Sequence, residues 1–192
     1  MMEHKNKLDV TSRQEFRAWL EKFSCSETEC YVCVTRGRPV DDDRFWYLDA
    51  VEEALCFGWI DSTIRMIDGK KMQRFSPRRK NGNWTELNKV RVRRLEKLGL
   101  MTDAGRAVLP AMEPGAFTID KEVEAALKNA RVWSAFKSFH PLYQRIRASN
   151  LAFYKKHYPA SYGRMLKQTI ENAKKGKTCG NWNDYGRLLE VP

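Results

Sequence analysis

The chain has no long apolar run and few cysteines. No stretch of its 192 residues approaches the roughly 20 apolar residues that a membrane-spanning helix needs. Residues 1–7 also lack the apolar run of a secretion signal, and five cysteines are an odd number for a disulfide framework. We therefore expect a cytoplasmic protein without a membrane span, and with free thiols.

The common signatures of enzymes and metal sites are also missing. The sequence has no G-x-S-x-G, no P-loop, no G-x-G-x-x-G after a strand and no H-E-x-x-H. The three histidines lack ligand spacing, and Cys30 and Cys33 lie in a predicted strand, where residues three apart point to opposite faces. The sequence predicts no metal and no cofactor, and it favours binding over catalysis.

Positive charge is what the chain has in excess. Thirty-five Lys and Arg against 24 Asp and Glu give a formal net charge of +11. Residues 70–97 alone contain eleven Lys and Arg but only two Glu. Such a concentration of one sign favours an anionic partner, although a run of charge on a helix is more often a solvated face.

Apolar spacing and turn residues predict an α+β fold that is mostly helical and contains a small antiparallel sheet. Asp68-Gly69 between two alternating runs predicts a β-hairpin. With a two-residue loop, Ser62 would face Phe75, and Ile60, Ile64 and Phe75 would form the buried face. The main predicted helices begin near residue 11, span 47–57 before Gly58, and run from Asn83 or Thr85 to about Leu98.

The clearest break in the chain is Glu113-Pro114-Gly115-Ala116. It predicts an α+β core domain with a basic loop over residues 1–112, followed by a docked helical extension and tail over 113–192. The short break suggests one compact unit. The tail from Trp182 to Leu189 is too apolar to be free, so we expect it to dock on the front half with Trp182 buried.

The loop after the hairpin is the strongest candidate for an anion site. Its cations precede a predicted helix, whose N-terminus attracts anions through its dipole and its N–H groups. A phosphate, a carboxylate or a nucleic-acid backbone would fit this chemistry. The predicted anion-binding residues are Arg74, Arg78, Arg79, Lys80, Asn83, Asn88 and Arg91.

Two charged residues fall on helix faces that should be buried. On helical wheels, Glu52 lies between Leu48 and Leu55, and Arg91 lies on the arc of Leu87, Leu95 and Leu98. A buried charge needs a partner or a solvated pocket. One interpretation is a structural Glu52–Arg91 ion pair; the other is a polar pocket. The residues predicted to line that pocket are Glu52, Trp59, Asp61 and Trp84, with Arg74 and Arg91 as its cations.

Three short segments carry a resemblance to a known family. They are ALCFGWIDS at 54–62, RFSPRR at 74–79, and NW at 83–84 with Asn88 and Arg91. These segments resemble the YdeI/OmpD-associated family, also described as bacteriocin-protection proteins. The resemblance implies a bacterial cytoplasmic protein linked to envelope stress or to peptide resistance, with no activity to transfer. The recurrent positions of the family correspond to Trp59, Asp61, Arg74, Pro77, Arg78, Trp84, Asn88 and Arg91.

Three functional hypotheses follow. The leading one is a stress-linked protein that binds an anionic partner, either a small molecule or a nucleic-acid backbone, through its basic hairpin-loop-helix surface. The second is an enzyme acting on a small phosphorylated or carboxylated substrate, with Glu52 or Asp61 as base and Arg74 and Arg91 as clamps. The third is a protein interaction module that uses the aromatic tail. The sequence assigns no oligomeric state.

Overall fold

The computed structural model of the protein describes residues 6–79, 82–113, 115 and 117–189. These residues form one three-stranded antiparallel sheet and eight α-helices, which confirms the predicted α+β fold. No helix in these ranges is long and apolar enough to cross a membrane. The chain divides into two compact units, Met1–Gly82 with Arg91–Ala111 and Asn83–Val90 with Met112–Pro192. Of the predicted break, Pro114 and Ala116 lie outside the described residues.

The first unit contains helices whose ends follow from their capping residues. Helix α1, Arg13–Phe23, begins at Ser12, whose side chain accepts a hydrogen bond from the Glu15 N–H. Helix α2, Tyr47–Cys56, ends before Gly58, whose positive φ of 74° confirms the predicted glycine stop. Helix α3, Glu86–Lys97, belongs to this unit from Arg91 onward. Helix α4, Asp103–Arg106, begins at Thr102, whose hydroxyl accepts a hydrogen bond from the Gly105 N–H.

The sheet has the strand order β1-β3-β2, with β1 at Cys30–Val32, β2 at Trp59–Ile67 and β3 at Lys70–Pro77. Strands β2 and β3 form the predicted hairpin around Asp68-Gly69. A β-bulge between Asp61 and Ile64 shifts the register, so Phe75 faces Asp61 and the predicted pairing of Phe75 with Ser62 is wrong. Ile64, predicted to be buried, is 49% exposed. An extra residue in one strand moves the following side chains to the other face.

The second unit is helical. It contains α5 at Lys121–Asn129, α6 at Trp133–Lys137, α7 at Pro141–His157 and α8 at Pro159–Lys174, together with the start of α3 to Val90. Its core forms around Val123, Leu127, Phe136, Tyr143 and Leu151, all of which are buried. These four helices confirm that the extension predicted over residues 113–192 is helical.

The C-terminal tail packs within the second unit. The ring centroid of Trp182 lies 5.5 Å from that of Tyr143, and Leu188 is buried against Val90 and Ile146. The expectation that Trp182 would be buried is wrong, because its side chain is only half-buried, and Leu188 is the buried anchor instead.

Asp120 should stabilise the second unit in a pH-dependent way. Its carboxylate caps α5 by accepting from the N–H groups of Glu122 and Val123, each at 3.0 Å, and it accepts from Lys155 at 2.7 Å. The Lys155 hydrogen bond, followed by the backbone N–H groups, lowers the pKa of Asp120. We expect Asp120→Ala to cost about 0.5 to 2 kcal/mol of unfolding free energy at pH 7.

A lowered folded-state pKa means that the charge of Asp120 stabilises the fold above the ordinary aspartate pKa and stops doing so as pH falls through the lowered value. The difference between wild type and Asp120→Ala in urea unfolding should therefore shrink in acid. Glu122→Ala, which removes an exposed carboxylate from the same turn, is the control and should change little. An equal difference at pH 7 and near pH 2 would contradict this assignment.

Candidate anion site

The β-bulge of β2 is filled by a buried polar side chain. Gln73 is 2% exposed, and its amide nitrogen donates to the carbonyl oxygens of Ser62 at 3.1 Å and Thr63 at 3.4 Å. A bulge interrupts the hydrogen-bond ladder, so these carbonyl groups need a donor from elsewhere. Gln73 supplies it, and its own amide oxygen is left to accept another hydrogen bond.

That oxygen holds Arg36. The Arg36 Nη2 donates to Gln73 Oε1 at 2.6 Å, and the guanidinium carbon lies 4.2 Å from the centroid of the Tyr47 ring. A cation over the face of a tyrosine ring is attracted by the ring quadrupole. The exposed Arg36 side chain is thus fixed by a hydrogen bond and a ring contact, and its remaining N–H groups can serve a ligand.

Tyr47, the first residue of α2, donates its hydroxyl hydrogen to Asp61 Oδ2 at 2.5 Å. Burial, and then the Asp61 carboxylate, raise the pKa of Tyr47, while the charges of Arg91 and Arg36 oppose this rise. Tyr47 is therefore a hydrogen-bond donor at neutral pH and not a base. The effect on its pKa also places the charge of Arg91 near the Tyr47–Asp61 pair.

Arg78 brings a third guanidinium to the same place. Its backbone N–H donates to the Gly58 carbonyl at 2.9 Å, which ties the end of β3 to the end of α2. The residue is only 9% exposed, and burial lowers its pKa to about 10, with the charge of Asp61 acting in the opposite direction. Arg78 is still charged at pH 7. We call Arg36, Arg78 and Arg91 with the Tyr47–Asp61 pair the arginine cluster.

Other residues predicted for the site lie elsewhere in the first unit. Arg74 donates to Glu29 at 2.7 Å and to the Ser62 hydroxyl at 3.1 Å, and it points away from Gln73 because neighbouring strand residues alternate. Trp59 is 1% exposed, so it is a core residue, and its N–H donates to the Ser24 carbonyl at 3.1 Å. Arg79 is exposed, and Lys80 lies outside the described residues.

Asn83, Trp84 and Asn88 belong to the second unit. The Asn83 side-chain nitrogen lies 3.0 Å from His157 Nε2. The Asn88 backbone N–H donates to the Thr85 hydroxyl at 3.3 Å. Of the two predicted capping residues, Asn83 and Thr85, it is therefore Thr85 that caps α3.

Glu52 is buried, as its helical wheel predicted, but its contacts are structural. It is 1% exposed and accepts hydrogen bonds from Arg13 at 2.9 Å and from Arg94 at 3.0 Å. Burial disfavours the charge of Arg13, yet the carboxylates of Glu53 and Glu52 outweigh it and raise the Arg13 pKa. Arg13 and Arg94 both donate to this carboxylate, and the predicted contact of Glu52 with Arg91 stays a prediction. These ion pairs join α1, α2 and α3.

The helical wheel of α3 placed Leu98 on the buried face, and this prediction is wrong. Leu98 is 42% exposed, whereas Val92 and Leu95 are buried in the part of α3 that belongs to the first unit. Arg91 is half-buried.

None of the five cysteines belongs to the arginine cluster. All five cysteines are free, and burial raises the pKa of Cys30 and raises that of Cys56 to about 12. Within the residues that the structure describes, no three His, Cys, Asp or Glu side chains are placed to hold a metal ion. The residues of the arginine cluster themselves offer hydrogen bonds and charge to a ligand.

Together, the sheet, α1, α2 and α4 define an α+β domain with an arginine-lined polar site. A family model described as a domain of unknown function, DUF8412, matches residues 8–108, slightly more than half of the chain. The chain belongs to this family. No curated protein and no solved structure matches the chain significantly. The matched range contains every residue of the arginine cluster.

Proposed function

We propose that the first unit binds a small molecule carrying a phosphate or carboxylate group, with the arginine cluster as its site. The observation that carries this proposal is the guanidinium of Arg78, which is charged at pH 7 although it is 9% exposed and burial lowers its pKa. An anion that reaches this guanidinium would be attracted more strongly than at an exposed site, because charges attract each other more strongly away from water. Arginine suits the task, since its planar fork matches phosphate and carboxylate oxygens.

Preorganisation supports the same proposal. Arg36 is held by Gln73 and by the ring of Tyr47 before any ligand arrives. A side chain that is already fixed loses less conformational entropy on binding, so more of the interaction energy contributes to affinity. The β-bulge thus has a function in this proposal, because it places Gln73 where it can orient Arg36.

The two carboxylates considered as catalytic bases, Glu52 and Asp61, both have other roles, so we favour binding over catalysis. Glu52, one of the two bases considered for an enzyme, is 1% exposed and engaged by two arginines, whereas a general base must be within hydrogen-bond reach of its substrate. Asp61 accepts the Tyr47 hydrogen bond and serves to orient that hydroxyl. Of the basic hairpin-loop-helix surface predicted to bind an anion, only Arg78 and the residues around it are assigned to this site. A link to envelope stress or peptide resistance stays a prediction.

The test compares two neighbouring arginines. Arg78→Gln removes a buried charge, and Arg79→Gln removes an exposed charge one residue along the same loop. Inorganic phosphate, citrate and a panel of phosphorylated and carboxylated metabolites are screened by thermal shift, and hits are measured by calorimetry. A ligand at 100 times its Kd should stabilise the wild type by about 2.7 kcal/mol.

We expect Arg78→Gln to weaken binding about 10- to 150-fold, the equivalent of one charged hydrogen bond of about 1.5 to 3 kcal/mol. Arg79→Gln should bind as the wild type does. Each variant is compared with its own unliganded melting temperature, so a change in stability does not mimic a change in binding. Equal losses in both variants would indicate an exposed anion surface, and no stabilisation by any anion would refute the proposal.

A further inference from the structure

A second basic region lies in the helical unit, outside the basic residues 70–97. Residues 145–187 contain ten Lys and Arg but only two acidic residues, Glu171 and Asp184. Some of these cations have structural partners: Arg147 donates to the Thr169 hydroxyl at 2.8 Å, and Lys155 pairs with Asp120. The remainder includes six exposed side chains, namely Lys156, Arg164, Lys167, Lys174, Lys175 and Lys177.

Several of these cations share one face of α8. At about 100° per residue, Arg164, Lys167, Lys174 and Lys175 fall within an arc of about 100°. The opposite face carries Tyr162, Met165, Leu166 and Ile170, which pack against the core of the second unit. We call the four cations the α8 stripe. Lys167 lies 3.9 Å from Glu171, and no ion pair joins the other three to any residue in the described ranges.

Four aromatic rings meet where α7 ends and α8 begins. The Phe153 centroid lies 4.7 Å from that of His157 and 5.9 Å from that of Tyr158, and the Tyr154 and Tyr158 centroids are 5.5 Å apart. These rings are not members of the core cluster around Val123 and Leu127. Tyr158 is 55% exposed, and His157 is also exposed. We call Phe153, Tyr154, His157 and Tyr158 the junction cluster.

We propose that the junction cluster and the α8 stripe bind single-stranded nucleic acid. Accessible rings and a line of cations in one unit are the two parts that such proteins combine: bases stack on the rings while Lys and Arg follow the phosphates. A duplex keeps its bases stacked on each other, so it could use only the cations. This inference does not rest on the arginine cluster, which is a separate site in the first unit.

The dimensions of α8 suit this partner. Its 16 residues extend about 24 Å at 1.5 Å per residue, and the stripe runs from Arg164 to Lys175 beyond the cluster. A strand stacked on Tyr158 would therefore continue along α8 over several nucleotides, which is within the range of about 4 to 16 nucleotides bound by known single-strand modules.

The test measures binding of the full chain to fluorescent 15-nucleotide oligo(dT) and oligo(U), and to a duplex of equal length, by anisotropy across a salt series. Tyr158→Ala should weaken single-strand binding about 5- to 150-fold, the range expected when one stacked base loses its platform. Lys174→Gln with Lys175→Gln should make the log–log salt slope less negative by about 0.7 for each phosphate that is no longer neutralised.

Matched controls distinguish the loss of this site from the loss of any exposed tyrosine or lysine. Tyr185→Ala removes another exposed tyrosine, which is 40% exposed in the tail, and Lys70→Gln with Lys71→Gln removes two exposed lysines from the hairpin. Tyr185 belongs neither to the junction cluster nor to the α8 stripe, and the same is true of Lys70 and Lys71, so both controls should bind within about twofold of wild type.

Three results would overturn the inference: no binding of either oligonucleotide at low salt, equal binding of single strand and duplex, or unchanged binding by Tyr158→Ala. Binding to vesicles of anionic lipid without binding to oligonucleotides would likewise refute it and assign the cations to a membrane surface. Circular dichroism of each variant, with a melt, verifies that the second unit is folded in all comparisons.

Discussion

Replacing Glu52 with alanine is expected to lower the free energy of unfolding by about 3 to 5 kcal/mol. The Glu52 carboxylate is 1% exposed and accepts hydrogen bonds from Arg13 and Arg94, so its removal leaves two partly buried guanidinium groups with fewer partners. Removal of a buried ionic partner costs more than its attraction alone, because the remaining charge stays desolvated. Urea unfolding of wild type and variant measures the difference directly.

Two further variants test the cause of this loss. Glu21→Ala removes a glutamate that is also paired with an arginine, but whose side chain is 57% exposed; it should change stability by no more than about 1 kcal/mol. The double variant Glu52→Leu with Arg94→Leu removes both charges and should recover most of the stability, since buried ion pairs are often replaced by apolar residues at little cost. A Glu52→Ala variant within about 0.5 kcal/mol of wild type would exclude a stabilising role for the ion pairs.

Local patterns in the sequence predicted the elements well. The Ser12 cap, the Gly58 stop and the Asp68-Gly69 turn each depend on residues that are neighbours in the chain, so one sequence is enough to see them. The β-bulge was missed because no glycine marks it, and the alternation on either side is intact. A register deduced from the turn therefore holds only as far as Ile64.

The arginine cluster was predicted only in part, because its contacts join segments that are far apart in the chain. Asp61, Arg78 and Arg91 were named from their own segments, but Arg36, Tyr47 and Gln73 were not. Their contacts join separate segments, with 37 positions between Gln73 and Arg36, and a single sequence does not show which distant segments meet. One signal was available: Gln73 lies two residues from the buried Phe75 on the same strand face, so it should be buried and in need of polar partners.

Glu52 illustrates the limit of helical wheels. The wheel of α2 correctly predicted that this residue is buried, since burial depends mainly on the helix itself. Its partners depend on where α1 and α3 lie, and a helical wheel of α2 alone gives no information about the position of Arg94 on α3. Arg13, 39 residues away in the chain, gave no sign of its role.

Gly105→Ala is expected to destabilise the first unit by about 3 kcal/mol or more, whereas Gly163→Ala should be neutral or stabilising by up to about 1 kcal/mol. A Cβ on Gly105 would lie 2.1 Å from the Cys56 carbonyl oxygen, so α4 would have to move away from the end of α2. The same oxygen accepts from Thr102 N–H at 3.1 Å and from its hydroxyl at 2.7 Å, and both hydrogen bonds would be strained by that movement. Gly163 lies within α8 with no atom near its would-be Cβ, so alanine there gains helix propensity without a clash.

Urea unfolding of the Gly105→Ala and Gly163→Ala variants measures this difference in stability, and a Gly105→Ala variant as stable as wild type would show that α4 can move away from α2 at no cost. Because the substitution is the same in both cases, the difference between the variants isolates the close approach of the two backbones from the general effect of adding a methyl group.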